Sequence, residues 1–169
     1  YLSPLPTLLL DNMRLRQVLL NLVGNAVKFT ETGSITLEAQ FTPQSRQDHG
    51  TLTISVKDTG CGIPPNILPQ IFEPFVQHDH VPGAKTYEGT GLGLPISRRL
   101  VHSMGGEIRA TSQEGVGSTF VVELHDVEYI PGDTLHGPDA QRTKALACVL
   151  PKKTERLMIV DDASMNLKV

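Results

Sequence analysis

Cysteine is nearly missing from this chain. Its two thiols, Cys61 and Cys148, are too few for the disulfide framework on which small secreted domains depend. That usage fits a reducing cytosol, with Cys61 expected as a small buried residue rather than a reactive one. Long apolar runs are also missing: no stretch approaches the roughly 20 residues that span a bilayer. The first residues lack the basic region and apolar core of a signal peptide. Charge of one sign is not in excess. A net charge of −3 gives no electrostatic basis for nucleic acid or an anionic membrane as a partner. Internal repeats and low-complexity runs are absent too. What remains is a soluble chain of 169 residues with 39% hydrophobic content, enough for one sizeable domain plus appendages.

The pattern of residues divides that length. "TLLLD" (7 to 11) reads as a short strand running into Asp11, an N-cap for a helix over 12 to 30, and Gly33 closes that region. "SITLEAQF" (34 to 41) and "TLTISVKD" (51 to 58) alternate as a hairpin around "TPQSRQDHG". Residues 66 to 72 read as a short helix. A long stretch without periodicity, 73 to 92, follows, and its length marks it as a functional lid or as disordered. "PISRRLVHSM" (95 to 104) has helical spacing and stops at Gly105-Gly106, after which "GEIRATS" and "GSTFVVELH" form a last hairpin around "QEGVG". The domain is expected to end near His125, followed by a linker over 126 to 155. "RLMIVDDASMNLKV" begins like a buried strand closed by two carboxylates, the start of a further unit from about residue 156.

Within the first helix, "NLVGNAVKF" is apolar except for Asn21, Asn25 and Lys28. At 100° per residue these three fall within an arc of about 60°. Leu19, Leu22, Val23, Ala26, Val27 and Phe29 cover most of the rest, so the helix is expected to be packed on nearly all sides. The stripe then faces either solvent or a polar ligand, since unpaired buried amides or an ammonium would cost several kcal/mol. Gly24 beside it removes a side chain that could block close approach. "DTGCG" (58 to 62) sets a carboxylate at a strand end ahead of two glycines that permit a tight turn against a flat ligand. Asp-x-Gly is equally ordinary turn chemistry, and a calcium loop would need further oxygen ligands. "GTGLGL" (89 to 94) puts a glycine-rich turn ahead of a helix, where N–H groups and the helix dipole favour phosphate. Leu94 stands where a dinucleotide fingerprint needs its third glycine, and "PGAKT" does not make a Walker loop.

Taken in order, "LRQVLLNLVGNAVKF", "DTGCGIP", "IFEPF" and "GTGLGL" resemble the N, G1, F and G2 boxes of the sensor histidine kinase catalytic, ATP-binding domain. The resemblance covers residues 7 to 125. It implies a two-layer α/β sandwich of the α+β class: a mixed, mainly antiparallel sheet of about five strands covered on one face by about three helices, the ATP-binding fold shared with gyrase, Hsp90 and MutL. It implies ATP and Mg²⁺ as cofactors. Asn25 would hold Mg²⁺ through its side-chain oxygen, with Asn21 and Lys28 as catalytic groups at the phosphates. Asp58 would recognise the adenine amino group, with Gly60, Gly62 and Ile63 shaping the slot and Thr119 closing it. Residues 76 to 90 would form a lid carrying Lys85. Gly89, Thr90, Gly91, Leu92, Gly93 and Leu94 would offer backbone amides. Phe72 and Phe75 would anchor the lid and dock a partner domain, or else pack in the core.

Asn21 bears on the reaction. In the related ATPases a glutamate at this position activates water, a poor nucleophile that needs a general base. A neutral imidazole is already nucleophilic near pH 7 and needs only alignment and charge neutralisation at the γ-phosphate. An amide here therefore favours transfer to histidine over hydrolysis. None of His49, His78, His80, His102, His125 and His136 sits in the family's acceptor pattern, so the acceptor belongs to a preceding dimerisation domain. "HDH" (78 to 80) reads as solvated rather than as a metal site. The tail resembles the first strand and acidic pair of a receiver domain, with Asp161 and Asp162 idle in so short a piece, which points to a hybrid kinase acting in the cytoplasm. The fragment itself should touch neither nucleic acid nor membrane. The rival readings are a non-catalytic nucleotide-sensing or docking domain of this fold, and a serine kinase or ATPase of the superfamily. Glu88 stands where many relatives have glycine.

Overall fold

A computed structural model describes residues 5–45, 48–76, 90–134 and 146–150. The chain opens with β1 (Pro6–Leu9) and α1 (Asn12–Phe29). Asp11 caps α1 by accepting from the Arg14 N–H at 3.0 Å, which satisfies one of the donors left over in a first turn. The hairpin is β2 (Gly33–Pro43) with β3 (His49–Asp58). After a single 3-10 turn at Leu68–Gln70 comes α2 (Gly93–Ser103), then β4 (Gly106–Gln113) and β5 (Gly117–Thr134). A last strand, β6, covers Leu146–Leu150.

The sheet runs in the order β1-β5-β3-β2-β6, and β4 adds to β5 beside β1. β5 is long enough to serve both neighbours. Its first half, up to Leu124, pairs with β4, and Glu128–Thr134 pairs with β1. A positive φ of 55° at Asp126 lies between the two stretches. β3 alternates strictly, with Leu52, Ile54, Val56 and Asp58 buried and their neighbours partly exposed. Phe120, Val122 and Leu124 of β5 and Ile108 of β4 repeat that alternation, while α1 supplies Leu15, Val18, Leu22 and Ala26 and α2 supplies Val101. Period 2 in the strands and period 3.6 in the helices thus meet in one core between two layers.

The sandwich agrees with expectation, and its particulars refine it. Among the described residues every strand pairing is antiparallel rather than mixed. Two α-helices, not three, lie among the described residues, because 66 to 72 form turns instead of a helix. Pro64, Pro65, Pro69 and Pro74 cannot sustain an α-helical ladder there. β5 continues nine residues past the expected boundary at His125 because β1 gives it a partner, and β6 lies inside the expected linker, paired with β2. Residues 156 to 169, expected to begin a receiver, are outside the described part.

The helix α1 divides into three sectors rather than being packed all round. Leu15, Val18, Leu22 and Ala26 are buried, Asn21, Asn25 and Lys28 are half-buried along one flank, and Met13, Gln17, Leu20, Gly24 and Val27 face outward. One layer of helices on one sheet leaves this outer side uncovered, so Met13 is 70% and Leu20 50% exposed. Among the described residues, open space surrounds Gly24.

Candidate functional site

The half-buried flank of α1 meets the start of α2. Asn21 Nδ2 donates to the Ser97 hydroxyl at 2.8 Å, and Ser97 is 1% exposed. Gly93 packs so close to Asn21 that a Cβ at 93 would fall on the amide oxygen. One turn along α1, Asn25 has no hydrogen-bond partner among the described residues, and one further turn places the Lys28 ammonium 5.1 Å from the centre of the Phe29 ring. α2 begins with no side chain capping its N-terminus. Its first N–H groups, uncapped by any side chain among the described residues, and its positive dipole end therefore stand beside the stripe. Gly91 has a φ of 65° and lies against the Phe75 backbone, whose N–H donates to the Gly91 carbonyl at 3.1 Å. Leu92 N–H reaches the Thr90 hydroxyl at 3.4 Å. Leu94 is half-buried and packs on the core.

A second wall comes from the end of β3. Asp58 is 6% exposed, and its Oδ1 accepts from the Gly60 N–H at 2.9 Å and the Ser118 N–H at 3.2 Å. Both donors use one oxygen. The other, Oδ2, is left without a donor among the described residues. Gly60 lies against the Phe29 carbonyl, which also accepts from the Cys61 N–H at 3.2 Å. Gly62, at a φ of 71°, lies against the Gln113 carbonyl. Ile63 N–H donates to the Ser112 hydroxyl at 2.8 Å, and that hydroxyl donates to the Gly117 carbonyl at 2.9 Å. The 58–63 loop is thus clamped between the end of α1 and the β4–β5 turn. Added Cβ atoms at 60 or 62 would strike backbone, which is why glycines stand there.

Some expectations are redrawn by these contacts. Thr119 pairs with Lys57 and shares its sheet face, away from Asp58. Ser118 is the residue on the Asp58 side: it is 7% exposed, donates its N–H to Asp58, and its hydroxyl is 3.0 Å from that of Ser112. The parity was available in the sequence, since 118 keeps step with Phe120, Val122 and Leu124. Ser97, Ser112 and Thr30 had no sequence signal. Thr30 Oγ1 is buried without a partner among the described residues, next to Gly60. Cys61, expected to be buried, is exposed and free, because the tight turn points it outward. Its thiol is pushed up, chiefly by burial of the sulfur against the loop and further by the charges of Asp58, Glu31 and Glu114.

The two phenylalanines separate. Phe72 packs against the core, whereas Phe75 is 73% exposed at a φ of 65°. Lys85, Gly89, the "HDH" run and most of the expected lid lie outside the described residues. Far from the site, on the other face of the sheet, Glu107, Glu123 and His125 converge within 4.8 Å, but Arg109 already bridges both carboxylates. That guanidinium holds the Glu107 carboxyl below the usual carboxylate range.

Comparison with known proteins identifies the family of the chain. The profile of the "Histidine kinase-, DNA gyrase B-, and HSP90-like ATPase" family matches residues 10–128. The virulence sensor protein BvgS of Bordetella bronchiseptica is 41% identical over 94% of this chain, and the aerobic respiration control sensor protein ArcB of Escherichia coli is 44% identical over 72% of it. The chain spans only 12% and 15% of those relatives' lengths. Among solved structures, full-length ShkA in complex with AMPPNP superposes with a TM-score of 0.60 at 42% identity, covering 76% of this chain and 25% of that one. The catalytic domain of histidine kinase ThkA gives a TM-score of 0.51 at 29% identity, covering 69% of this chain and 70% of that one. With its two walls and ordered boxes inside the matched span, the chain belongs to the histidine kinase-, DNA gyrase B- and HSP90-like ATPase family.

Proposed function

We propose that the chain is the ATP-binding catalytic domain of a hybrid sensor histidine kinase, passing the γ-phosphoryl group of Mg-ATP to a histidine on a preceding dimerisation domain. The observation that carries this reading is the divided use of Asp58: one oxygen braced by two backbone donors, the other open, on a residue almost removed from water. Such an oxygen suits the adenine amino group. That oxygen is open to the site rather than sealed in, so a ligand N–H can take the place of solvent on it. Gly60, Gly62 and Ile63 shape the adenine slot, and Ser118 takes the place beside Asp58 that sequence alone gave to Thr119.

The phosphates lie between the Asn21, Asn25 and Lys28 flank and the uncapped start of α2, where Gly91 and Gly93 present backbone amides. Asn25 offers a half-buried neutral oxygen with no described partner, a donor that fits a hard cation which keeps phosphate and water among its ligands. When bound there, Mg²⁺ would neutralise negative charge on the phosphates. Lys28 adds positive charge at the same flank. Asn21, being an amide, takes no proton from water, so the site aligns an imidazole rather than activating hydrolysis. Phe75, exposed beside the lid base, is the surface offered to the histidine-bearing domain, and the receiver-like tail makes the protein a cytoplasmic phosphorelay component.

Calorimetry with Mg-ATP tests the reading. The unmutated chain should bind, Asn25→Ala should weaken binding strongly, and the chain should phosphorylate the separate helical hairpin of its own full-length protein in trans. Undetectable Mg-ATP binding, or rapid multiple-turnover hydrolysis by the isolated chain, would overturn it.

A further inference from the structure

Ser97 is a buried hydroxyl that the core does not need. It sits on α2, 1% exposed, 76 residues away in sequence from the one side chain it bonds, Asn21. An asparagine amide left to itself has a broad, roughly two-fold side-chain torsion and adopts either flip. The Ser97 hydroxyl, 2.8 Å from Nδ2, pins the end of that side chain and so restricts the torsion, and Gly93 lies against the amide from the head of the same helix. α2 therefore bonds one end of the Asn21 amide and packs against the other. The segment leading into α2 is the one expected to form the lid, so the bond also ties that helix to the phosphate flank of α1.

We infer that Ser97 is a positioning residue for phosphoryl transfer, holding the Asn21 amide in the orientation that favours a histidine acceptor over water. The inference rests on the catalytic reading above. In transfer, an N–P bond to imidazole forms while the bond from Pγ to the bridging oxygen breaks, the electron pair leaving with ADP and the ring proton passing to solvent. In hydrolysis a water oxygen takes the place of the ring nitrogen and loses its proton to solvent. A held amide defines where the nucleophile stands, and small misplacement at such a centre is costly in rate. A loosened amide leaves room for water and loses that discrimination.

The test measures both products, phosphohistidine and free phosphate, in the full-length protein. Ser97→Ala should leave Mg-ATP affinity within about twofold while the ratio of phosphohistidine to free phosphate falls roughly tenfold or more. Ser97→Cys, similar in size but a weaker acceptor, should fall between. In an Asn21→Ala background, Ser97→Ala should change the ratio no further, because the two act as one unit. Equal loss of transfer and hydrolysis alongside a lowered unfolding midpoint would show a structural role only and overturn the inference. So would an effect of Ser97→Ala that persists undiminished without Asn21. Failure of the unmutated protein to bind Mg-ATP would overturn the catalytic reading together with this one, whereas intact binding with an unchanged ratio in Ser97→Ala overturns this one alone.

Discussion

Replacing Asp58 with asparagine changes one atom's role and leaves another's intact. In the folded chain Oδ1 serves Gly60 and Ser118 at 2.9 and 3.2 Å, a task an amide oxygen performs equally well. The second oxygen becomes an NH₂, a donor where the ligand amino group is also a donor. A hydrogen bond to a charged acceptor contributes about 1.5–3 kcal/mol, so its loss alone weakens ATP binding by about 10- to 150-fold. The donor now suits the O6 carbonyl of guanine, so GTP should lose less or gain. Unfolding should barely move, because both loop donors keep their acceptor, in contrast to Asp58→Ala, which strands them. Titration calorimetry with Mg-ATP and Mg-GTP, run beside a thermal melt, reads all three effects. An Asp58→Asn chain that melts normally and binds ATP within about twofold of the unmutated one would refute the reasoning.

Gly93→Ala places a methyl on the Asn21 amide, an overpacking that costs about 1–3 kcal/mol in urea unfolding and that Asn21→Ala in the same chain should relieve. Leu124→Ala, at a site 1% exposed and six residues along β5 from Ser118, should cost about 2–5 kcal/mol of stability while leaving nucleotide affinity of the folded fraction unchanged. Glu107 titrates below its ordinary range because Arg109 bonds the ionised form. Its small stabilising contribution is therefore complete above the ordinary glutamate range and lost as pH falls through the lowered pKa. Melting midpoints followed downward from about pH 5 should show a slope that Glu107→Gln reduces and that salt flattens. Cys61, with its thiol pushed up, should react with iodoacetamide only slowly at neutral pH and faster as pH rises; fast labelling at pH 7 would contradict that environment.

Much of this protein is local, and the local part was readable. The span of α1 follows from apolar spacing and an aspartate cap, and the hairpins follow from alternation and turn residues. The glycines at 60, 62, 91 and 93 each meet a backbone or a side chain that leaves no space for a Cβ. The polar stripe was likewise legible as a stripe, because its periodicity is a property of the helix itself. Less local features were misjudged for identifiable reasons. Position 119 was placed one step out of register because a strand's facing depends on its partner, and the pairing with Lys57 turns Thr119 away from Asp58. Cys61 was placed inside on composition, while the turn sends it out.

By itself, then, the sequence determined the elements, the order of the boxes and the presence of a neutral amide at position 21, since each is carried by neighbours within a few residues. Only the tertiary structure decided which face of α1 is bare, that Ser118 backs the Asp58 carboxylate, and that Ser97 reaches across from α2 to hold Asn21. Those are contacts between segments 60 and 76 residues apart, made when two layers close on one core; alternation along β5 told which way Ser118 faces, but no local pattern told which residue it meets.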